Sequence, residues 1–189
     1  MTGAVRTSLT ALCMIVACTP ALGQRFRFDD VRRGQSEVAV FVGYGENHRI
    51  PHAVDDRYAF DTAKVRFGHY LSPRNEVIVD LAVGKQNTGQ RNSAIWLTGT
   101  YRYIFITRGS TALSVDASFG IFRLRDAVDT LGTRTNFTEQ LGLSFQYATG
   151  PRSAVTLEYK FSHISNGGIR LPNIGINASM LSVGHSWYP

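Results

Sequence analysis

The feature that most constrains this chain is an alternation of apolar and polar residues with a period of two, repeated in eight segments. In residues 155–161, for example, every odd position is apolar and every even position is polar. Successive side chains of a β-strand point to opposite faces of the sheet, so each segment predicts a strand with one apolar and one polar face. The segments lie at about 37–45, 58–71, 76–86, 94–106, 111–124, 135–147, 153–165 and 176–188.

The connections between these segments alternate in length. Tight turns are predicted at 72–75, 107–110 and 148–152, and longer loops at 46–57, 87–93, 125–134 and 166–175. Short turns at one end and long loops at the other are the layout of an outer-membrane barrel. The segments reach the ~9–11 residues that a tilted strand needs to cross a bilayer, and in lipid the sheet must close on itself. We therefore predict an all-β fold, an eight-stranded antiparallel outer-membrane β-barrel.

The same pattern also fits a soluble eight-stranded barrel that holds a ligand, in which the apolar face would point inwards. The composition of the polar face favours the membrane barrel, because charged residues alternate there with Gly and Ser, as in a narrow polar interior. Those residues are Glu76, Asp80, Arg102, Asp116, Glu158 and Lys160. Aromatic residues near the strand ends of the apolar face are typical of an interfacial girdle. They are Tyr44, Tyr101, Phe137, Tyr147 and Trp187.

Residues 1–23 are predicted to be a secretory signal peptide, which leaves residues 24–189 as a single barrel domain with a short N-terminal arm. Arg6 supplies a short basic region, residues 8–18 supply an apolar region, and residues 21–23 fit a small-residue cleavage pattern. The apolar region is too short to span a bilayer as a helix. The expected location is therefore the outer membrane, reached by export.

Both cysteines, Cys13 and Cys18, lie in this segment, so the mature chain would have no disulfide, thiol nucleophile or cysteine metal site. Residues 15–18 loosely resemble a lipobox, which leaves lipoprotein processing open. The formal net charge is +6, one unit less without Arg6, and favours an anionic partner. Nucleic acid is not expected, because the basic residues are scattered among strands of an exported chain. Residues 25–35 are charged and unpatterned and predict a solvated arm.

The residues best suited to chemistry lie at the end of the seventh segment. His163 and Ser165 continue its apolar face, two residues apart, so the imidazole can act as a general base for the hydroxyl. A loop rich in Gly, Asn and Pro follows at residues 166–175. A polar pair on a face exposed to lipid costs free energy and needs a reason. The alternative is a structural role at the interfacial level, where His and Ser are tolerated.

The sequences FSHISNGGIR at residues 161–170 and PNIGIN at residues 172–177 resemble the signature of the PagL-type lipid A 3-O-deacylases, an acyloxyacyl hydrolase family. The close match covers roughly this segment, and the rest agrees in strand pattern and signal peptide. The resemblance implies an outer-membrane esterase that removes the ester-linked 3-position acyl chain of lipid A. Its partners would be lipopolysaccharide and the membrane, and it would need no cofactor. A homodimer is left open.

The resemblance implies Ser165 as the nucleophile and His163 as its base. The implied oxyanion stabilisers are Asn166, Gly167, Gly168 and Asn173. The best-described members of that family carry Glu at the position of Asn177, where the acid orients the histidine and stabilises the imidazolium. The amide of Asn177 can orient the ring but supplies no negative charge, so lower activity is expected, or an acid from elsewhere. The candidate acid is Glu139, which points outwards on the sixth segment at about the level of residues 161–163. The alternative is that Glu139 is an interfacial carboxylate paired with a loop arginine.

Arg170, beside the site, is a candidate partner for a lipid A phosphate, with a solvated arginine as the alternative. Other basic loop residues that can meet anionic headgroups are His48, Arg49, His52, Arg57 and Arg91. No spacing of histidines or carboxylates predicts a metal site. Two other functions compete with the esterase: a non-enzymatic structural or adhesive barrel that keeps the motif loop for packing, and a periplasmic lipid-binding barrel.

Overall fold

The computed structural model describes residues 25–48, 58–88 and 91–189, which form a closed β-barrel. The eight antiparallel strands are β1 Ser36–His48, β2 Ala59–Ser72, β3 Asn75–Gln86, β4 Ser93–Arg108, β5 Thr111–Leu124, β6 Thr135–Gly150, β7 Ser153–Ser165 and β8 Ile176–Trp187. Each strand pairs with the next, and β8 pairs with β1, so the sheet closes on itself. The predicted eight-stranded antiparallel barrel is confirmed. The predicted signal peptide lies outside the described residues.

The apolar face of every strand points outwards and the polar face lines the lumen. Leu97 and Leu141, for example, are 50% and 61% exposed on the outer wall. Glu76 and Arg102 are fully buried inside. The alternative of a soluble barrel with an apolar interior is therefore wrong. In the described part of the chain, no helix is long and apolar enough to cross a membrane.

Buried ion pairs cross the lumen from strand to strand. Arg66 on β2 donates from Nε and Nη2 to the two oxygens of Asp80 on β3, both at 2.8 Å, and from Nη2 to Glu158 at 2.7 Å. Arg102 on β4 makes the same two-pronged contact with Asp116 on β5, at 2.8 and 2.9 Å. A planar guanidinium matches the two carboxylate oxygens, so these pairs fix the register of neighbouring strands.

The paired residues are staggered around the barrel, and this stagger positions the site. Each residue can be followed to its directly paired neighbour on the next strand. Starting from Val155 on β7, this path passes through β8, β1 and the other strands, and it returns to β7 at Ser165. It therefore climbs ten residues along β7 towards the long loops in one circuit. With a spacing of about 4.8 Å and a tilt of about 40°, each step to the next strand raises the paired residue by about 3 Å.

The N-terminal arm closes the end of the barrel that carries the short turns, hereafter the turn end; the opposite end is the loop end. Phe28, in a short 3-10 helix at Phe28–Asp30, is 1% exposed, and the ring of Phe26 stacks on Tyr188 at 4.3 Å. The Gly109 N–H donates to the Asp29 carboxylate at 2.7 Å and lowers the pKa of that carboxyl. The prediction of a solvated arm is wrong, because two of its phenylalanines supply apolar packing that a charge pattern does not reveal.

Replacing Arg102 tests the role of the lumen. We expect Arg102→Leu to lower the free energy of unfolding by about 3–5 kcal/mol, because it leaves the buried carboxyl groups of Asp116 and Glu76 without their cation. Urea titration of the barrel in detergent micelles, followed by tryptophan fluorescence, measures the change. The control is Arg123→Leu, an exposed arginine on β5 bonded to Thr135 at 3.0 Å, with a change below about 0.5 kcal/mol. Equal losses in both variants would contradict this role.

Candidate functional site

The candidate site lies on the outer wall where β6, β7, β8 and β1 meet at the loop end. His163 on β7 is directly opposite Glu139 on β6 and directly opposite Asn177 on β8. Asn177 is in turn opposite His48 on β1. Four polar residues therefore follow one row of paired positions across the outer wall, with Ser165 two residues beyond His163 on the same face.

The imidazole of His163 is oriented by a hydrogen bond between its Nδ1 and the Oδ1 of Asn177, 2.7 Å long. An amide oxygen can only accept, so Nδ1 carries the proton of the neutral ring and Nε2 keeps its lone pair. Nε2 is the nitrogen that a general base uses on a neighbouring hydroxyl. Glu139 lies opposite His163, but the ring bonds to the amide of Asn177 and not to the carboxylate of Glu139.

The loop after β7 is built around the buried side chain of Asn166. Its Nδ2 donates to the backbone oxygens of Leu131 at 2.7 Å and Arg170 at 2.6 Å, and its Oδ1 accepts from the Gly168 N–H at 2.9 Å. The Asn166 N–H donates to the Oδ1 of Asn173 at 3.0 Å. The side chain of Asn166 therefore holds the loop in shape, and the loop closes on itself beside Ser165.

A second loop, residues 125–134, supports the first. The Leu131 side chain is fully buried, and the Ile174 N–H donates to the Thr130 oxygen at 2.9 Å. A Cβ added to Gly132, which has φ +63°, would lie 2.6 Å from the Pro172 oxygen, so the two backbones are in close contact. The sequence did not predict this support, because docking between loops leaves no periodic pattern. The glycine at position 132 was the available signal.

The predicted oxyanion stabilisers come together in this loop, but not all of their donors are free. The donors of Asn166 and the N–H of Gly168 are used within the loop. The Gly167 N–H has no acceptor among the described residues, and the Asn173 amide uses its oxygen, which leaves its NH2 group. Gly167 and Asn173 are therefore the predicted stabilisers that keep a donor unused within the described residues.

Gly175 packs directly against the catalytic candidate His163. Its φ is +80°, and an added Cβ would lie 2.8 Å from Cε1 and 3.4 Å from Nε2 of the ring. This close approach limits the positions that the imidazole can adopt. The sequence marked Gly175 as a loop glycine without indicating this contact.

Gly175→Ala tests that contact. We expect the added methyl group to push the His163 ring away from Asn177 and to shift the ring ¹⁵N resonances, measured by NMR of histidine-labelled protein in micelles. Gly34→Ala is the matched control, because Gly34 has a similar φ of +89° and nothing within 4 Å of its added Cβ. Unchanged His163 resonances in Gly175→Ala would contradict the contact.

The remaining predicted residues lie around this site. The side chain of Arg170 is exposed at the rim of the loop, and only its backbone oxygen takes part in the loop's bonding described above. His48 is the last residue of β1 and bonds through Nε2 to the Oγ of Ser179 at 2.5 Å. Arg49, His52 and Arg57 lie outside the described residues. Within the described ranges, no group of three or more histidine, cysteine or acidic side chains is arranged to hold a metal ion.

Comparisons with known proteins agree with this architecture. A family model described as Lipid A 3-O-deacylase (PagL) matches residues 59–186, a range that includes Glu139, His163, Ser165 and Asn177 but not His48. No curated protein sequence gives a significant match to the chain.

Solved structures share the fold at low sequence identity. Neisserial surface protein A is 13% identical with a TM-score of 0.63, and the match covers 80% of this chain and 96% of that one. The outer membrane enzyme PagL is 18% identical with a TM-score of 0.56, covering 78% and 97%. The attachment invasion locus protein Ail of Yersinia pestis is 11% identical with a TM-score of 0.54, covering 83% and 99%. These matches establish the fold and nothing more specific.

Proposed function

Because the chain belongs to the PagL family of lipid A 3-O-deacylases, we propose that it hydrolyses the ester that links the 3-position acyl chain to lipid A. The protein is located in the outer membrane. The observation that supports the catalytic assignment is the hydrogen bond between His163 and Asn177 on the outer wall, which leaves Nε2 of His163 available as a base on the strand face that also carries Ser165.

The first half of the reaction transfers the acyl group to the protein. Ser165 Oγ attacks the ester carbonyl carbon while Nε2 of His163 removes the hydroxyl proton. The tetrahedral intermediate collapses, the bond between the carbonyl carbon and the sugar oxygen breaks, and His163 returns its proton to that sugar oxygen. In the second half, His163 takes a proton from water, the hydroxide attacks the acyl-serine, and the fatty acid leaves as Ser165 regains its proton.

The oxyanion of each tetrahedral intermediate needs donors that are fixed in advance. Among the four predicted oxyanion stabilisers, Gly167 with its N–H and Asn173 with its side-chain NH2 are the two with a donor not used within the described residues. Asn166 contributes indirectly, because its five hydrogen bonds hold the loop that carries these donors. The Gly168 N–H already donates to Asn166 and can share its proton with a second acceptor.

An outward-facing site suits a substrate that is itself a membrane lipid. Lipid A reaches the outer wall by lateral diffusion in the leaflet, so no channel through the barrel is needed. The apolar rim of the loop supports this arrangement, because Ile169 and Leu171 are 76% and 83% exposed next to the site. Such exposure is costly in water and favourable against acyl chains.

Ser165→Ala tests the proposal. We expect deacylation to fall by roughly a thousandfold or more, because no other group replaces the nucleophile. The measurement is mass spectrometry of lipid A from a host that expresses each variant. Ser153→Ala is the control, since Ser153 lies on the same strand at the turn end, where its Oγ bonds to the Oγ1 of Thr149 at 3.3 Å. A deacylated product in Ser165→Ala at the level of the unaltered protein would contradict the assignment.

The competing function is a non-enzymatic structural barrel that keeps the motif loop for packing, and Asn177 in place of the family's glutamate is the observation that favours it. That alternative expects no deacylated lipid A in any variant, including the unaltered protein, while the barrel still folds. Heat-modifiable mobility on gels verifies folding independently.

Asn177→Glu tests how much the missing negative charge limits the reaction. A hydrogen bond to a charged partner is worth about 1–1.5 kcal/mol more than a neutral one, so we expect deacylation to become about tenfold faster. The measurement is the initial rate of deacylation of lipid A in micelles. A slower rate in Asn177→Glu would show that the charge is already supplied. Glu139→Gln identifies the source, because a tenfold loss there would assign the missing charge to Glu139.

A further inference from the structure

The outer wall carries a second polar cluster directly beside the proposed dyad. Nε2 of His48 on β1 bonds to the Oγ of Ser179 on β8 at 2.5 Å, and the same Oγ bonds to the phenol oxygen of Tyr159 on β7 at 2.7 Å. The His48 ring is parallel to the ring of Phe161, with centroids 6.2 Å apart and an interplanar angle of 10°. Three strands thus contribute to one hydrogen-bonded group that faces outwards.

The stagger of the barrel places this cluster beside the nucleophile. His48 and His163 are both direct neighbours of Asn177, so their Cα atoms are roughly 10 Å apart across the wall. Two steps from β7 to β1 raise His48 by about 6 Å towards the loop end. Ser165, two residues beyond His163 on a tilted strand, rises by about 5 Å. His48 and Ser165 therefore lie at nearly the same height, with strand β8 between them.

The wall below the cluster is apolar, which sets the depth of the cluster. The next outward residues of β8 towards the turn end begin with Leu181, 54% exposed, and its neighbour on β1 is Tyr44, 46% exposed. A tyrosine on the outer wall marks the interface between acyl chains and headgroups. The polar cluster above it faces the headgroup layer, where the sugar of an anchored glycolipid lies.

The hydrogen-bonding groups of the cluster determine which part of a lipid headgroup it can bind. Imidazole, serine and tyrosine can each donate and accept a hydrogen bond. Sugar hydroxyls also do both, whereas a phosphate at neutral pH mainly accepts. We infer that His48, Ser179 and Tyr159 form a subsite for the saccharide headgroup of the lipid whose ester is attacked at Ser165. This inference rests on the proposed function.

Binding to a protein that cannot turn over gives the first test. In a Ser165→Ala background, we expect His48→Phe to weaken the binding of purified lipid A about tenfold, because phenylalanine keeps the ring but removes both nitrogens. Native mass spectrometry of the protein in detergent micelles measures the dissociation constant. His185→Phe is the matched control, an outer-wall histidine near the turn end whose ring lies 4.5 Å from that of Trp187. An unchanged dissociation constant in His48→Phe would overturn the subsite.

Two substrates in the active protein give the second test. We expect His48→Phe to raise KM for lipid A about tenfold with little change in kcat, and to leave hydrolysis of a p-nitrophenyl ester, which has no sugar, unchanged. Parallel losses on both substrates would overturn the subsite in favour of a structural role for His48. Failure of the unaltered protein on both substrates would contradict the proposed function instead, and the binding test would still decide the subsite.

Discussion

The interlocked ion pairs of the lumen are the interaction on which the rest of this structure depends. The guanidinium groups of Arg66 and Arg102 each form a bidentate ion pair with a carboxylate on the following strand, and each also contacts further carboxylates across the interior. A slip of one residue in any strand that carries one of these charges would turn it out into lipid and bring apolar side chains into the lumen. The ion pairs therefore fix which residues of these strands point outwards, and β7 is one of these strands. His163 and Ser165 face the membrane because Glu158 and Lys160 must face the lumen.

The alternation along each strand decides whether a residue faces the membrane or the lumen. The stagger between strands decides which outward-facing residues lie close together. On a flat sheet without stagger, His48 would be level with His163 and below Ser165. The climb of ten residues per circuit lifts β8 and β1 relative to β7, so His48 at the end of β1 reaches the height of Ser165. The site is thus a property of barrel closure as much as of the motif that follows β7.

The sequence was sufficient to predict the fold and the row of outward-facing residues around His163, but not the contacts between the loops. Strict alternation predicted all eight strands, and the turn at 148–152 was enough to place Glu139 close to the level of His163, its direct partner. Alternation carries no information on contacts between loops or on packing without a period. The docking of Leu131 under Asn166 and the burial of Phe28 in the arm were therefore missed. The stagger was missed for the same reason, because it is a sum over all eight pairings.

Asn177 stands where the resemblance implies a glutamate, and it separates two tasks that a glutamate would combine. Orientation needs only an acceptor, and the amide oxygen provides it at 2.7 Å from Nδ1 of His163. Stabilisation of the imidazolium needs a negative charge, which the amide lacks. A carboxylate at this level of the outer wall costs free energy beside lipid, whereas an amide is cheaper to place there. Because Gly175 confines the same ring from the other side, the orientation of the His163 ring is fixed although its partner at Asn177 carries no charge.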